Sequence, residues 1–551
     1  MTTIADRIIT SRRKLVEALP PPPVRKAAEE GGCGVVGLAA SEPVEGRHLI
    51  APAQQMHNRG NGKGGGLAAA GLSPAQMCVS PETLREATLL HIAYLDARAR
   101  SEVERDAILS HYELLQAHAI LTLDDHRQVP GLEVEPPEVV CYFVRAKPDA
   151  LARFAAENAL EGLDERQVED EFVYRQSFLL NQRFYASLGE QRAFVLSHGR
   201  DLLVFKIVGY AEQAVAYYQL EDLEAHVWIA HQRYPTKGRV WHPGGAHPFI
   251  GLNEALVHNG DFANYHAVAT YLRQRNIVPL FLTDTEVSVL LFDLLDRVYG
   301  YPLEVTIEAL APTTERDFEL LPSEKQRLYK AVQATHLHAS PDGPWFFIIA
   351  RSRPEEGNHQ LLGITDTTML RPQVFALHEG KLQIGLIASE KQAIDSALES
   401  LSAQYERVCP VADRYWNARG GSHTDGGAFL FTVQDNGRGK DLVVTDKFGE
   451  RVMTSLDQVH NNPSTAVHNP PQPAFAASDP QEWVVVGPEG VPGAWRWLFR
   501  EMQAWSYGEV TWFCRQMVIL AGEGQDAWSF AIGLLTRLRN RQYDPGAKRR
   551  A

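Results

Sequence analysis

The 551-residue sequence has few cysteines, and their arrangement excludes several kinds of site. The five are widely scattered and odd in number, and no two form a C-x-x-C pair: Cys33, Cys78, Cys141, Cys409 and Cys514. This pattern argues against a disulfide framework, a structural zinc ion and an iron–sulfur cluster. A reducing compartment fits such a chain, so we expect a cytoplasmic protein.

The sequence also lacks long apolar segments and runs of positive charge. Its longest apolar stretches, such as residues 287–295 and 344–350, are well short of the roughly 20 residues that span a bilayer. The formal net charge is -14, and no cluster of lysine and arginine reverses that sign locally. Phosphate backbones and anionic lipid headgroups would be repelled. We therefore expect neither membrane contact nor a nucleic-acid partner.

Composition and pattern divide the chain into four parts. Residues 1–32 contain a short amphipathic helix pattern that ends at a proline, and they are predicted to be a leader or propeptide. Residues 33–435 form the main domain, and residues 436–480 are read as an extension and proline-rich linker. Residues 481–551 hold six of the ten tryptophans, with apolar residues at helical spacing, and predict a small helical module.

Apolar segments with the character of strands crowd the main domain. They are residues 33–40, 193–196, 202–208, 225–231, 254–258, 345–350, 360–364, 373–377, 383–388 and 427–433. Many are apolar along their whole length, which is typical of sheets covered on both faces, with helices such as 285–299 packed outside. Residues of about 80–190 have a mainly helical pattern, including 164–185. The pattern predicts a layered α/β sandwich with a helical insertion.

Four short motifs carry the chemistry. They are CGVVG at residues 33–37, HQRYPT at 231–236, HNGD at 258–261 and TDTE at 283–286. Each is a weak signal by itself, but their order and spacing are specific. Together they resemble the class II glutamine amidotransferases, and within these the amidotransferase domain of glutamate synthase. The resemblance covers about residues 33–435 and includes segments 57–66, 195–210, 246–249, 342–345, 370–372 and 388–390.

The resemblance implies a four-layer αββα sandwich of the N-terminal-nucleophile hydrolase kind and a catalytic cysteine. Cys33 would attack the side-chain amide of glutamine, and its own α-amine would accept the thiol proton. A mature enzyme would then begin at Cys33, after cleavage that follows Gly32. The alternative is a buried structural cysteine, which is the commoner use of this residue.

The other motifs would bind the substrate and its transition state. By resemblance, the Asn259 side-chain amide and the Gly260 backbone N–H would form the oxyanion hole. Arg233 would bind the α-carboxylate of glutamine and Asp284 its α-ammonium group. Each has a plain alternative: Asn-Gly is a common hairpin turn, Arg233 fits a surface position, and Asp284 fits a helix N-cap.

Three other patterns predict no site. The glycines at 60, 62 and 65 match G-x-G-x-x-G, but no clear strand precedes them, so we read residues 57–66 as a flexible loop near the active site. The histidines at 226, 231, 242, 247 and 258 include no pair at helical metal-binding spacing, and no metal is expected. Ser422, His423 and Asp425 are nearly adjacent in sequence, and such close neighbours do not generally reach the geometry of a serine triad.

The chain has no sequence signature for using the ammonia, which must then pass to another protein. We expect a stand-alone glutaminase subunit in an oligomer with a separate synthase, most closely glutamate synthase, whose FMN would lie on the partner. This chain would need no cofactor of its own. Two alternatives stay open: a different acceptor, such as an N-methylglutamate-type synthase, or a non-catalytic regulatory or scaffold protein in which Cys33 stays blocked.

Overall fold

The computed structural model describes residues 33–185, 189–232, 242–261, 263–368, 370–371 and 373–452. The leader, residues 453–480 of the predicted extension and linker, and the tryptophan-rich module lie outside these ranges. Within them the strands are β1 (Gly34–Glu45), β2 (Gly65–Leu72), β3 (Thr88–Tyr94), β4 (Tyr112–Ala119), β5 (Glu138–Ala146), β6 (Ala193–Ser197), β7 (Leu202–Ile207), β8 (Glu224–Gln232), β9 (Phe249–Ile250), β10 (Glu254–Gly260), β11 (Trp345–Arg353), β12 (Asn358–Thr365), β13 (Val374–His378), β14 (Ile384–Ala388), β15 (Arg414–Trp416), β16 (Ala428–Asp435) and β17 (Lys440–Asp446).

The helices of the described residues lie mostly between the strands. They are α1 (Ile50–Gln55), α2 (Pro81–Glu86), α3 (Ala99–Val103), α4 (Pro148–Asn158), α5 (Glu165–Phe184), α6 (Ala211–Tyr217), α7 (Tyr265–Arg273), α8 (Asp284–Asp293), α9 (Leu303–Leu310), α10 (Glu315–Glu319), α11 (Ser323–Thr335) and α12 (Lys391–Gln404). Short 3₁₀ or π turns occupy Gly46–Leu49, Glu104–Ile108, His126–Gln128, Pro243–Gly245 and Leu294–Val298. None of these helices has the length and apolar character needed to cross a bilayer.

The strands form three sheets, and the strand pairs in them are antiparallel. A seven-stranded sheet has the order β15-β13-β14-β1-β8-β2-β7, and a six-stranded sheet has the order β17-β16-β12-β11-β10-β9. A smaller sheet has the order β4-β5-β3-β6. The molecule is therefore a mixed α/β protein built on antiparallel sheets.

The two large sheets pack against each other through β1, β11 and β12. A Cβ atom on Gly37 would lie 2.7 Å from the Leu361 side chain and 2.8 Å from that of Ile348, so glycine permits this close approach. A Cβ on Gly34, three residues earlier and on the opposite face of the strand, would meet the Met56 side chain that follows α1. One face of β1 therefore covers the six-stranded sheet, and the other is covered by a helix.

Further helices contact the same two sheets. α6 and α12 lie against strands of the seven-stranded sheet, and α8, with α7 beside it, lies against β10. These contacts join the sheets and helices in one large hydrophobic core. β2, β8 and β10 are almost wholly buried against this core. β2 was not among the strands predicted from the sequence.

The predicted helical insertion at about 80–190 is wrong in its secondary structure. The region contains β3, β4 and β5, which pair in the small sheet with β6, and α3, α4 and α5 share a second hydrophobic core with them. The segments TLLHIAY and EVVCYFVRA are almost wholly buried, as strands covered on both faces are. The helix predicted at 164–185 is confirmed, and Asp164 caps it by accepting the Gln167 N–H at 2.8 Å.

The predicted boundary at residue 435 is also wrong, because the six-stranded sheet continues past it. A tight turn follows Asp435, in which the Asn436 N–H donates to the Gly439 carbonyl at 3.0 Å. β17 then pairs with β16 from Lys440 to Asp446. The first part of the predicted extension is therefore an edge strand of the main domain.

Candidate active site

Cys33 lies at the start of β1 and is buried, with 7% of its surface exposed. β1 runs between β14 and β8, and the neighbouring Gly34 pairs with Gln232 at the end of β8. Gln232 also pairs with Gly65 at the beginning of β2. Cys33 is therefore next to the place where three strands of the large sheet begin or end.

Ser389 connects the strand of Cys33 to the other large sheet. Its Oγ accepts the backbone N–H of Val35 at 3.1 Å, and its own N–H donates to the Val35 carbonyl at 2.9 Å. The same Oγ accepts a hydrogen bond from Asn259 Nδ2 at 2.9 Å. Two of the sequence motifs, CGVVG and HNGD, are therefore joined through one hydroxyl group.

Gly260 has a backbone conformation that requires glycine. Its φ is +144°, and a Cβ there would lie 2.2 Å from the Pro344 carbonyl oxygen and 2.7 Å from the Trp345 Cα. Gly260 pairs with Trp345 at the end of β10, and Asn259 pairs with Phe346. The hairpin-turn interpretation of Asn-Gly is therefore wrong, because both residues belong to a strand.

Asp284 is the first residue of α8 and lies near the same strand. The N-cap is Thr283, whose hydroxyl accepts the Glu286 N–H at 3.1 Å, so the N-cap interpretation of Asp284 is wrong. One carboxylate oxygen of Asp284 accepts the Thr285 N–H at 3.0 Å. The other lies 3.6 Å from Nδ1 of His258, which directly precedes Asn259. The structure thus brings Asp284 to the HNGD motif.

Two buried histidines, His247 and His258, lie beside the Thr285 hydroxyl, and a third, His231, stacks on His247. The rings of His231 and His247 stack with centroids 3.9 Å apart, and the Thr285 hydroxyl lies 2.8 Å from His247 Nε2. His258 Nδ1 lies 3.5 Å from the same hydroxyl. These histidines pack and hydrogen-bond around the helix start. Across the described part of the chain, no group of three His, Cys, Asp and Glu side chains could hold a metal ion.

The glycine-rich loop at 57–66 is tied to the rest of the site by side-chain contacts. The His57 ring stacks on Tyr210 at 4.1 Å and hydrogen-bonds with Glu212, while Arg59 pairs with Glu390, the residue after Ser389. Glu212 also accepts from Gln232 Nε2 at 2.7 Å. The expected position of the loop, close to Cys33, agrees with these contacts.

Two predicted features have different outcomes. Arg233 falls in 233–241, outside the described residues, so its role stays a prediction.

In the Ser422 run, Ser422 Oγ donates to Asp425 at 2.6 Å, whereas His423 Nδ1 lies 2.7 Å from Asp317. Serine and histidine bond to different carboxylates, and these contacts serve the structure of a loop.

Sequence reasoning missed Ser389 and Thr285 as parts of the site. Both lie in segments that share the resemblance, 388–390 and 283–286, but the resemblance implied no role for either. Ser389 is 354 residues from Val35 in the chain, so only the folded structure shows their contact. A serine directly after a buried strand, in a segment already singled out, was the one available signal.

Comparison with known proteins gives partial similarities. No family model matches the chain. An uncharacterized protein of Archaeoglobus fulgidus is 28% identical over 393 residues, which are 71% of this chain and 90% of that protein. The glutamine–fructose-6-phosphate aminotransferase of Campylobacter jejuni is 33% identical over 124 residues, and that of Acidithiobacillus ferridurans is 35% identical over 109 residues.

These aminotransferase matches are short. They cover 22% and 20% of this chain and only 20% and 17% of the two enzymes. A solved glutamine phosphoribosylpyrophosphate amidotransferase from B. subtilis aligns with 45% of this chain and 40% of its own, at 18% identity and a TM-score of 0.26, which is too distant to carry an argument. The chain is thus a mixed α/β protein, about a fifth of which is similar to glutamine–fructose-6-phosphate aminotransferases.

Proposed function

We propose that this chain is a class II glutamine amidotransferase that hydrolyses L-glutamine to glutamate and ammonia through a thioester on Cys33. The observation that carries the proposal is the hydrogen-bond link from Asn259 through Ser389 to Val35, two residues from Cys33. It joins the candidate nucleophile strand to the candidate oxyanion donor. The partial similarity to glutamine–fructose-6-phosphate aminotransferases supports the same substrate.

The chemistry follows from the groups in these positions. The Cys33 sulfur attacks the carbonyl carbon of the glutamine side-chain amide, and the thiol proton passes to the α-amine of Cys33. The oxyanion that forms receives hydrogen bonds from Asn259 Nδ2 and the Gly260 N–H. The carbon–nitrogen bond then breaks, ammonia leaves with the transferred proton, and water hydrolyses the thioester to glutamate and the free thiol.

The substrate's amino-acid end would be held by opposite charges. Asp284 would bind the α-ammonium group; its side chain is 17% exposed beside His258, although its Oδ2 atom is buried. Arg233 would pair with the α-carboxylate through two parallel hydrogen bonds. The last two residues of β8, which directly precede Arg233 in the sequence, pair with Gly34 and Val35 of the Cys33 strand.

We further propose the fold, maturation and partner that the resemblance implies. The fold is the four-layer αββα sandwich of N-terminal-nucleophile hydrolases, residues 1–32 are removed, and the ammonia passes to a separate FMN-containing synthase subunit of the glutamate synthase kind. Residues 481–551 would contact that partner, since tryptophans are enriched at interface centres. No flavin or metal would be held by this chain.

An ammonia-release assay tests the glutaminase proposal. Purified chain is incubated with L-glutamine, with and without the co-purified partner, and compared with the Cys33→Ala and Cys78→Ala variants. Cys78 is exposed and lies in the segment before α2, which makes it a matched control. We expect ammonia release to fall to background in Cys33→Ala alone. Equal activity in Cys33→Ala and the unaltered chain would refute the assignment.

A further inference from the structure

Ser389 has a hydroxyl group whose acceptor capacity is filled. It follows β14, is 1% exposed, and accepts from Val35 N–H and Asn259 Nδ2. A hydroxyl oxygen has two acceptor positions, and these two donors occupy both. The Ser389 backbone is fixed as well, because its N–H donates to Val35 and the next residue, Glu390, pairs with Arg59. The Oγ atom therefore has a defined position.

This hydroxyl accepts a hydrogen bond from the amide nitrogen of Asn259. Asn259 is fully buried, and its Oδ1 has no hydrogen-bond partner in the described part of the chain. The terminal torsion of asparagine is soft, so a half-turn would exchange the amide nitrogen and oxygen at little cost in packing. With Nδ2 bonded to Ser389, its second hydrogen stays available to a ligand. A flipped amide would instead present an acceptor to a developing negative charge.

We propose that Ser389 is a positioning residue that holds Asn259 in its oxyanion-donating orientation. The inference rests on the proposed glutaminase function. Ser389 itself touches neither substrate nor nucleophile in this role. It acts through Asn259 and, by bonding Val35, keeps the donor in register with the Cys33 strand.

The test compares variants of equal shape with and without the hydroxyl. Ser389→Thr keeps an acceptor oxygen. Ser389→Val introduces a side chain of nearly the same shape as threonine but without that oxygen. We expect Ser389→Val and Ser389→Ala to lower kcat by about tenfold to a hundredfold with KM within about twofold, because the lost interaction matters most in the transition state. Ser389→Thr should retain most of the activity of the unaltered enzyme.

A double variant and a matched serine separate positioning from general stability. If Ser389 acts through Asn259, adding Ser389→Ala to Asn259→Ala should lower kcat no further. The control is Ser41→Ala, since the Ser41 hydroxyl accepts the Gln383 N–H at 3.0 Å and also bridges β1 to the β14 segment, at the other end of that strand pair. We expect Ser41→Ala to leave kcat unchanged.

Three results would overturn the inference while leaving the glutaminase proposal intact. They are an unchanged kcat in Ser389→Val, equal losses in Ser389→Thr and Ser389→Val, and a further fall in the double variant. Absence of glutamine hydrolysis by the unaltered enzyme would instead refute the proposed function itself. Circular dichroism of each variant identifies any that fails to fold. If Ser389→Ala does not fold, the kcat values of Ser389→Thr and Ser389→Val still test the inference.

Discussion

At the scale of single residues, the Asn259 amide and the Asp284 carboxylate are expected to act at different stages of the reaction. Asn259 is fully buried beside the Cys33 strand, while Asp284 keeps part of its side chain exposed at the start of α8. A group that contacts the oxyanion gains strength only as charge develops. A group that contacts the α-ammonium binds substrate and transition state alike, and affects mainly KM.

We therefore predict a split in the kinetic effects of substitution. Asn259→Ala should lower kcat by about 10² to 10³, whereas Asp284→Ala and Arg233→Ala should mainly raise KM. The control is Asn264→Ala, because Asn264 lies five residues after Asn259 and donates instead to the Ser340 carbonyl at 2.8 Å. Steady-state glutaminase kinetics measure all four. An unchanged kcat in Asn259→Ala would remove it from the oxyanion hole.

At the scale of elements, the end of β17 is anchored by a buried ion pair. Lys447 follows the strand and pairs with Glu308 of α9, and both side chains are fully buried. Glu308 also accepts from the Thr313 N–H at 2.9 Å and from Gln333 Nε2 at 2.6 Å. Burial lowers the pKa of Lys447, and Glu308 opposes that shift. The pair links the last described strand to the helical part of the domain.

Removing one partner should be costly. Lys447→Met would leave the Glu308 carboxylate buried without its cation, and we expect a loss of about 3 to 5 kcal/mol in the free energy of unfolding. Lys447→Met with Glu308→Gln should recover much of it. The exposed pair Lys391 and Asp395 on α12 is the control, and Lys391→Met should cost less than about 1 kcal/mol. Urea unfolding measures these values, and equal losses at both lysines would contradict the prediction.

Several strands buried on both faces could be located from the sequence, but not all: β3 and β5 are also buried and were placed in the predicted helical insertion. β8 was predicted at 225–231 from its apolar centre, VWIA, and runs from Glu224 to Gln232. β4 has the sequence YELLQAHA and is largely exposed, and such residues favour helices when taken alone. Its strand conformation comes from pairing with β5, which local pattern does not reveal.

The candidate site was predictable only where a motif marked it. Cys33, Asn259, Gly260 and Asp284 lie in motifs whose order and spacing singled them out, and the structure brings three of these motifs together. Ser389 was missed because its importance comes from contacts with residues 354 and 130 positions away in the chain. Contacts of that kind depend on the whole sheet arrangement and have no local sequence signal.

At the scale of the whole molecule, buried histidines should make the fold sensitive to acid. Burial lowers the pKa of His91 and His226 to about 3 and that of His198 to about 4. Below a pH of about 6.5 these histidines become protonated in the unfolded chain but stay neutral in the folded one. Stability is therefore lost as pH falls from about 6.5 towards 4, by about 1.4 kcal/mol per pH unit for each histidine.

We predict that these three histidines together lower the free energy of unfolding by about 4 kcal/mol between pH 7.5 and pH 5.5. His91→Gln, which keeps a donor for the Val204 carbonyl that His91 contacts at 2.9 Å, should reduce the difference by about a third. Urea unfolding at the two pH values measures it. A pH difference that is the same in His91→Gln would contradict the proposed origin.

The tryptophan-rich end is expected to serve assembly and not hydrolysis. Truncation after Pro480 should leave glutamine hydrolysis intact, because every predicted site residue precedes residue 290, and should abolish partner binding. Size-exclusion chromatography with light scattering, together with co-purification, measures assembly. A truncated chain that kept its native assembly size and its partner would show that the module packs on the main domain instead.

Cys33 is proposed to be an N-terminal nucleophile. The most direct test is to label active enzyme with a glutamine-like electrophile and to determine the labelled peptide and the chain's first residue by mass spectrometry. Burial raises the pKa of the Cys141 thiol, which should make it inert. We predict one label, on Cys33, in a chain that begins at Cys33. A label on Cys78 or Cys141, or full activity in a chain beginning at Met1, would contradict it.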